Sequence, residues 1–371
     1  MGGTTNVVVV GAGVVGCAVA YELACRGARV QVLDRRDVGQ GATQASAGVL
    51  APFIEAHESS TLLELGVRSL ERYDEFVARV VEDSGSAVQY LRSGTLEIAL
   101  DTAALKRLRA WAAKGLTRGL AAEVLDAKAT REAEPQLSEA VQGGLLVSMH
   151  GFVGASELVA ALRRAAGAHG VSFLPSTSAT RISVEGDGLR VEAAGDRIDC
   201  ETVVLAAGSW SGQVEVSGVA PVPVRPVRGQ LLHLGWPSSP LTRVIWAERC
   251  YLVPWNDGSV LAGATVEEVG FDERATVEGV QQLIDAVSEL TPHAAQAWFK
   301  GVRVGLRPWT SDNLPVIGPS GRVPNLVYAT GHYRNGILLA PLTASIVCDL
   351  ILDQKQDPAL DHTTPSRFEG L

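Results

Sequence analysis

The sequence Asn6-Val7-Val8-Val9-Val10 runs directly into Gly11-Ala12-Gly13-Val14-Val15-Gly16, and these eleven residues indicate the fold class. The valine run is short, β-branched and unalternating, which predicts a strand buried on both faces. The Gly-x-Gly-x-x-Gly pattern then opens a helical stretch that continues to about Arg26. A second strand, Arg29 to Leu33, ends at Asp34, so about thirty residues form a complete β-α-β unit.

Each glycine of the pattern has its own role in binding a dinucleotide. Gly11 permits a tight turn, Gly13 lets a pyrophosphate approach the backbone, and Gly16 lets the helix and strand pack closely. The helix N-terminus, at Val14 and Val15, offers free N–H groups and a partial positive charge to the phosphates. The placement of the pattern between a strand and a helix therefore predicts a dinucleotide site.

The end of the second strand carries the acidic residue that such a site requires. Asp34 lies 18 residues after Gly16, where a carboxylate accepts hydrogen bonds from the adenosine ribose. The adjacent Arg35 and Arg36 raise the alternative of a 2′-phosphate site, and therefore of NADP. Asp34 would repel that phosphate. We therefore interpret Arg35 and Arg36 as solvated charges at the end of the strand rather than as a phosphate site. The pattern itself does not distinguish FAD from NAD.

Two later segments favour FAD. Gly39 to Leu50 is a second run of small residues with few charges, through which backbone groups can reach a flat ring and a pyrophosphate. In Gly331 to Leu338 a strand again delivers a glycine turn to a helix N-terminus. We expect that helix end to face the isoalloxazine ring, because its dipole stabilises the negative charge of the reduced flavin.

The composition is that of a globular protein with an acidic balance. Of the 371 residues, 46% are hydrophobic and 20% are charged, and the formal net charge is −9 with a pI near 5.4. At about 150 residues per domain, this length allows two or three domains. Proteins that grip a phosphate backbone are basic, so we expect no nucleic-acid partner.

Membrane segments, export and metal binding are not predicted. The longest apolar runs fall short of the roughly 18 residues that a membrane-spanning helix needs, so no stable membrane association is expected. Residues 2–6 are neutral, whereas a signal peptide carries positive charge before its apolar segment. The five cysteines form no C-x-x-C pair and no cluster with histidine along the sequence, which argues against disulfides and a metal site. We therefore expect a cytoplasmic protein.

The remaining periodicity predicts an α/β fold with two domains. Helical patterns are predicted at Thr61–Glu82, Thr102–Ala113, Thr276–Leu290 and from about Ser156, as the cap, to His169. A discontinuous, Rossmann-like dinucleotide-binding domain, with FAD as the favoured ligand, is predicted at 1–85, 150–215 and 310–371. An inserted, mixed α+β substrate domain is predicted at 86–149 and 216–309.

These segments resemble the FAD-dependent D-amino-acid oxidase superfamily, and within it the glycine oxidase branch that serves thiamine-thiazole synthesis in bacteria. The matching segments, which span nearly the whole chain, are the N-terminal glycine pattern, Ala42–Leu50, Val203–Gly212, Val224–Gln230, Tyr251–Pro254, Gly263–Thr265, Gly305–Pro308 and Gly331–Pro341. The last segment, Gly-His-Tyr-Arg-Asn-Gly-Ile-Leu-Leu-Ala-Pro, is specific to that branch.

The resemblance implies a noncovalent FAD and the residues that hold it. The implied cofactor-binding residues are Gly11, Gly13, Val14, Val15, Gly16, Asp34, Arg35, Ala42, Thr43, Ala47, Gly48, Val49, Ala179, His332, Tyr333, Arg334, Asn335, Gly336, Ile337 and Leu338. Covalent attachment is not indicated, because Cys348 lies well inside the last predicted helix.

An amino-acid substrate presents a carboxylate, which arginine binds through two parallel hydrogen bonds. Arg307 matches the family's carboxylate-binding arginine, Arg334 matches a second arginine near the substrate and flavin, and Tyr251 matches a tyrosine whose hydroxyl faces the carboxylate. No acid or base is assigned, and His332 is interpreted as a packing or hydrogen-bonding residue.

The resemblance implies oxidation of glycine, and also of sarcosine and small D-amino acids, to an imine that hydrolyses, with O2 reduced to hydrogen peroxide. A homo-oligomer is expected. Two alternatives stay open: a D-amino-acid dehydrogenase that passes electrons to a quinone, and a flavin-binding subunit without turnover. Trp255 and Val49 stand where this branch usually has arginine and methionine, which leaves the preferred amine open.

Overall fold

The computed structural model describes residues 6–55, 60–116, 121–237 and 241–371. The strands are β1 (Asn6–Val10), β2 (Arg29–Leu33), β3 (Val49–Leu50), β4 (Tyr90–Leu91), β5 (Thr95–Ala99), β6 (Ala122–Asp126), β7 (Gly143–Val147), β8 (Gly151–Val153), β9 (Ser172–Leu174), β10 (Ala179–Glu185), β11 (Gly188–Ala193), β12 (Asp196–Cys200), β13 (Thr202–Leu205), β14 (Glu215–Val216), β15 (Arg225–Gly235), β16 (Val244–Trp246), β17 (Tyr251–Pro254), β18 (Ser259–Gly263), β19 (Trp298–Trp309), β20 (Val316–Pro319) and β21 (Leu326–Thr330). The helices are α1 (Val14–Cys25), α2 (Pro52–Glu55), α3 (Ser60–Leu70), α4 (Tyr73–Ser84), α5 (Thr102–Leu116), α6 (Ala127–Ala133), α7 (Ala155–Ala168), α8 (Val277–Leu290), α9 (Gly336–Asp353) and α10 (Leu360–Thr363). Residues 2–5, part of the neutral stretch that argued against a signal peptide, lie outside the described residues.

The dinucleotide-binding part is built on a six-stranded sheet in the order β20-β21-β13-β1-β2-β9. All neighbouring strands are parallel except β20, which is antiparallel to β21. Val7 and Val9 pack against helices α1, α7 and α9 on one face, while Val8 and Val10 pack against β10–β12 on the other. The valine run is therefore a central strand buried on both faces, as the sequence predicts.

Helix α9 is long and apolar, with a mean hydropathy of 1.8 over 18 residues, so by length and composition it matches a membrane span. The prediction that every apolar run falls short of about 18 residues was therefore wrong for this helix. In the fold, 61% of the helix is buried, and it packs against α1 and α3. Its apolar surface therefore serves the interior of the dinucleotide-binding part.

The second part is built on an eight-stranded sheet in the order β19-β15-β18-β17-β16-β5-β7-β6, with α8 packed against it. A short sheet, β3-β8-β4, joins segments from both parts. The predicted fold class, a Rossmann-like α/β domain with a mixed α+β insertion, is confirmed. The strands of the two large sheets fall on the predicted sides of the domain boundaries, and the boundaries themselves stay a prediction.

Two local predictions were wrong. The single helix expected over Thr61–Glu82 is two helices, α3 and α4, which are separated at Glu71 and Arg72. Ser156 does not cap α7, because that helix begins one residue earlier at Ala155, with Gly154 as its N-cap. Thr276, by contrast, caps α8 by accepting a hydrogen bond from the Gly279 N–H at 3.1 Å.

Candidate active site

The glycine loop has the close approaches that its sequence predicts. Gly11 has a φ of +112°, and a Cβ there would lie 2.3 Å from the carbonyl oxygen of Ala206. A Cβ at Gly16 would lie 1.9 Å from the Gly11 oxygen. A Cβ at Gly13 would meet only Thr43 Oγ1, at 3.4 Å. The first and third glycines are thus required by the fold, whereas the second opens onto a cavity.

Asp34 is held at the edge of this cavity by backbone groups. Its Oδ2 accepts from the Ala12 N–H at 2.7 Å, and its Oδ1 accepts from the Arg36 N–H at 2.8 Å. Burial raises the pKa of Asp34, and the two N–H donors act in the opposite direction by stabilising the carboxylate. The side chain is therefore fixed where a ribose hydroxyl can donate to it.

The neighbouring arginines do not form an open phosphate site. The guanidinium of Arg36 is paired with Glu273, with Nη1 and Oε1 2.9 Å apart, and it lies 4.6 Å from the centre of the Trp210 ring. Arg35 lies over the same ring at 5.3 Å. Because Arg36 is already paired with Glu273, the more enclosed of the two arginines is not available to bind the 2′-phosphate of NADP.

The cavity has a volume of about 460 Å³, within the range typical of ligand sites. Most predicted residues line it: Gly11, Gly13, Val14, Val15, Asp34, Arg35, Ala42, Thr43, Ala47, Gly48, Val49, Ala179, Tyr251, Arg307, His332, Tyr333, Arg334, Gly336 and Ile337. Three predicted residues lie outside the lining. Gly16 packs beneath the glycine loop, Asn335 is the buried N-cap of α9, and Leu338 packs in the helical core.

The residues that line the cavity fit an FAD. Helices α1 and α9 both begin at its wall, and neither N-cap residue makes a side-chain hydrogen bond to its helix. The Val14 N–H of α1 already donates to Thr43 Oγ1 at 3.0 Å, so it is not the free donor that the sequence predicts. The positive dipole ends of both helices lie at the wall of the space where a pyrophosphate and a flavin ring would lie. None of the five cysteines, all of them within the described residues, lines the cavity. Noncovalent binding of the FAD stays a prediction.

The other end of the cavity is formed by one face of the eight-stranded sheet. Gly229 of β15 lies opposite Gly305 of β19 in register. A Cβ at Gly229 would lie 2.3 Å from Arg307 Nη2, and a Cβ at Gly263 would lie 2.7 Å from the Tyr251 ring. The missing side chains let the guanidinium and the phenol lie flat on the sheet.

Arg307 is a cation held by neutral groups. Its Nη1 donates to the carbonyl oxygens of Thr265, at 2.9 Å, and Arg228, at 3.4 Å. Burial lowers the pKa of Arg307, but a guanidinium remains charged at any physiological pH. Within the described part of the chain, no carboxylate lies at ion-pair distance from it. The site therefore contains a half-buried positive charge that suits an anionic ligand.

Arg334 is arranged differently. Its Nε lies 3.1 Å from Glu55 Oε2, in an ion pair whose side chains are 31% and 14% exposed. This pair raises the pKa of Arg334. The guanidinium lies 5.6 Å from the centre of the Trp246 ring, which stacks on Tyr251 at 4.9 Å. Arg334 is thus neutralised and oriented by the protein, whereas Arg307 is not.

A family model for FAD dependent oxidoreductases matches residues 6–350. The chain belongs to this family. This match, together with those described next, confirms the predicted fold class and the FAD cofactor, and shows an FAD-dependent oxidoreductase. Oxidation of an amine stays a prediction.

Similar proteins match nearly the whole chain. It is 36% identical to a "Bifunctional protein ThiO/ThiG" of a Nostoc species, over 99% of this chain and 55% of that protein. It is 32% identical to a "Glycine oxidase" of Geobacillus kaustophilus, over 96% of this chain and 94% of that protein. The crystal structure of the glycine oxidase from Geobacillus kaustophilus superimposes with a TM-score of 0.94 at 31% identity, covering 99% and 100% of the two chains. The chain thus spans about half the length of the bifunctional relatives.

Several residues that line this oxidoreductase's cavity were not predicted from the sequence. Glu55 and Trp246 carry no local pattern that marks them, and they reach the cavity only through the tertiary fold. Gly229 and Gly305 did carry a signal, because glycine inside a strand often marks a close approach by another group. Both glycines lie in segments that resemble the family, but no role was predicted for either of them.

Two further predictions concern residues at or near the cavity. His332 is buried, its Nε2 lies 3.0 Å from Thr343 Oγ1, and burial lowers its pKa to about 3, which supports a packing role for a neutral imidazole. Trp255 does not line the cavity, and Arg303 lies 5.3 Å from the centre of its ring. Of the two residues that differ from those usual in the resembled branch, Trp255 therefore lies outside the cavity lining, whereas Val49 is part of it.

Proposed function

We propose that this enzyme oxidises glycine, and also sarcosine and small D-amino acids, through its FAD. The observation that supports this most directly is Arg307, a half-buried guanidinium that is bound by backbone carbonyls and lies in the wall of the predicted flavin cavity. A substrate carboxylate supplies the negative charge that this position lacks. The similarity to glycine oxidases supports the choice of substrate class.

The chain's own residues bind and orient the substrate. Arg307 holds the carboxylate, and the Tyr251 hydroxyl, whose pKa is raised by burial, stays protonated and donates to it. Arg334, oriented by Glu55, forms a second positive wall. FAD, when bound, supplies the hydride acceptor. A substrate amine that binds neutral needs no base, because its lone pair assists departure of the hydride.

The walls of the site favour small substrates. The stacked pair Trp246 and Tyr251 and the ion pair Arg334–Glu55 occupy the space around the carboxylate position with rigid groups. The resemblance to the D-amino-acid oxidase superfamily implies a site that leaves the side chain one outlet, so we expect D-amino acids or glycine to be accepted and L-amino acids to be rejected.

The remaining parts of the proposal rest on resemblance. We propose that the imine serves thiamine-thiazole synthesis, which the similarity to ThiO/ThiG proteins supports. Oxygen is the proposed electron acceptor, with hydrogen peroxide as product, in a cytoplasmic homo-oligomer. A D-amino-acid dehydrogenase that reduces a quinone and a flavin subunit without turnover are the alternatives.

A peroxide-coupled screen tests the proposal. The purified enzyme is incubated in air with glycine, sarcosine, and the D and L forms of alanine and proline. We expect peroxide with glycine, sarcosine and D-alanine. Comparable turnover of L-alanine and D-alanine would contradict the proposed geometry, and flavin reduction without peroxide would favour the dehydrogenase.

A further inference from the structure

The ends of three helices meet on the surface of the dinucleotide-binding part, away from the cavity. Cys25 is the last residue of α1, Asp83 lies in the last turn of α4, and His169 is the C-cap of α7. Their Sγ, carboxylate oxygen and imidazole nitrogen all lie within 4.8 Å of one another. The His169 Nε2 lies 2.9 Å from Asp83 Oδ2.

The electrostatics of this place favour a cation. Each of the three helices directs the negative end of its dipole toward the cluster. Arg79, the nearby cation, is already paired with Glu22 and lies over the Tyr21 ring. The side chains of His169 and Asp83 are 36% and 31% exposed, so an ion from solvent can reach them.

The donor set is also oriented by its surroundings. The Tyr21 hydroxyl donates to Asp83 Oδ2 at 2.7 Å. The rings of Tyr21 and His169 make an edge-to-face contact, with centroids 5.9 Å apart. Supporting hydrogen bonds of this kind fix ligand carboxylates in metal sites. A thiolate, an imidazole and a carboxylate together match the preferences of Zn²⁺, which takes sulfur, nitrogen and oxygen ligands in a tetrahedral arrangement.

We propose that Cys25, Asp83 and His169 form a binding site for a divalent cation of the Zn²⁺ type, with water as the fourth ligand. Binding releases the thiol proton of Cys25 to solvent, and His169 exchanges its Nε2 proton through solvent for one on Nδ1, which frees the Nε2 lone pair. The His169–Asp83 hydrogen bond is then replaced by two coordination bonds. The ion ties together the ends of α1, α4 and α7. The glycine loop lies at the opposite end of α1, about 18 Å away for a helix of 12 residues, so this site is separate from the catalytic cavity.

Sequence spacing cannot show this site, because His169 and Asp83 are 86 residues apart and Cys25 lies in a different helix from either. The expectation of no metal site rested on the absence of a local cysteine or histidine cluster. The three ligands are instead brought together by the packing of α1 against α7 and of α4 against α7.

The test uses the FAD-loaded enzyme after removal of metals with a chelator. Zn²⁺ alone is titrated against a chromophoric competitor, and Co²⁺ is added in a parallel experiment, because tetrahedral Co²⁺ absorbs in the red region where oxidised flavin does not. The variants are Cys25→Ser and His169→Gln. His293→Gln, which changes an exposed histidine in a different part of the surface, is the matched control.

We expect one Zn²⁺ per chain in the parent enzyme and in His293→Gln, with the affinity reduced at least about tenfold in Cys25→Ser and His169→Gln. Zn²⁺ should raise the Tm of the parent and not that of these two variants. The proposal is overturned if the parent shows neither Zn²⁺ binding nor a tetrahedral Co²⁺ spectrum, or if both ligand variants bind Zn²⁺ as the parent does. The parent's Co²⁺ spectrum decides the matter even if a variant fails to fold.

Discussion

Replacing Arg307 with alanine should nearly abolish amino-acid oxidation while FAD stays bound. In the structure the guanidinium lies over Gly229, donates to the Thr265 carbonyl at 2.9 Å and has no carboxylate partner among the described residues. The anionic partner of this guanidinium is therefore expected to be the substrate. Removing it withdraws the charge that the substrate carboxylate is proposed to need.

The size of the effect follows from the chemistry of the pair. Loss of one partner of a buried, charge-assisted pair typically costs about 2–5 kcal/mol, which corresponds to a loss of roughly 30-fold to several thousandfold in kcat/KM. Arg307→Lys should be intermediate, since lysine keeps the charge but loses the two-pronged geometry.

The assay is steady-state peroxide production with glycine, together with the FAD content and Tm of each variant. Arg225→Ala is the matched control: this arginine lies on the strand that pairs with β19, its guanidinium stacks on Trp309 at 4.5 Å, and it does not line the cavity. Inhibition by glycolate should weaken in parallel with turnover, because the lost contact is to a carboxylate.

A purely structural role for Arg307 makes a different prediction. The variant would then lose FAD or unfold at a lower temperature, while any intact enzyme would turn over normally. An Arg307→Ala protein with full FAD content and kcat/KM near the parent value would refute the proposed role.

Three other predictions test the cavity and its surroundings. Gly13→Val should abolish FAD retention because its side chain projects into the cavity, whereas Gly167→Val, at a helical site with open space, should retain FAD; equal flavin content would reject the pyrophosphate site. Tyr251→Phe should lower kcat/KM for glycine about ten- to hundredfold by removing one hydrogen bond to a charged group, and unchanged kinetics would remove the hydroxyl from the site. Burial lowers the pKa of His332 to about 3 from an ordinary value of 6.5. Below about pH 6.5 the imidazole is therefore protonated in the unfolded chain but stays neutral in the native state. This group should lower the free energy of unfolding by about 1.4 kcal/mol for each pH unit below about 6.5. Thermal unfolding should show a smaller acid loss in His332→Gln, and identical pH profiles would contradict this assignment.

The dinucleotide-binding part was predictable because its information is local. The valine run, the glycine loop and Asp34 follow one another within one β-α-β unit, and each has a backbone requirement that only certain residues meet. Gly11 shows this directly, because its positive φ and the approach of Ala206 exclude a side chain. The strand, the loop and the acid therefore appear where the sequence places them.

The substrate end was predictable only in part, because it is assembled from distant strands. Arg307 and Tyr251 were found through family resemblance, and the cavity wall contains both. Glu55 escaped prediction, because its meaning depends on the ion pair with Arg334, 279 residues further along the chain. The break between α3 and α4 also escaped, since no glycine or proline stands at Glu71 or Arg72.

The proposed function requires the FAD to take electrons from a small amino acid held at Arg307. The most direct test is the absorbance of the bound flavin after glycine is added without air. We expect the oxidised flavin spectrum to bleach, and to return on admission of air with formation of hydrogen peroxide. A spectrum that stays oxidised with saturating glycine, sarcosine and D-alanine, in protein that retains its FAD, would contradict the proposed function.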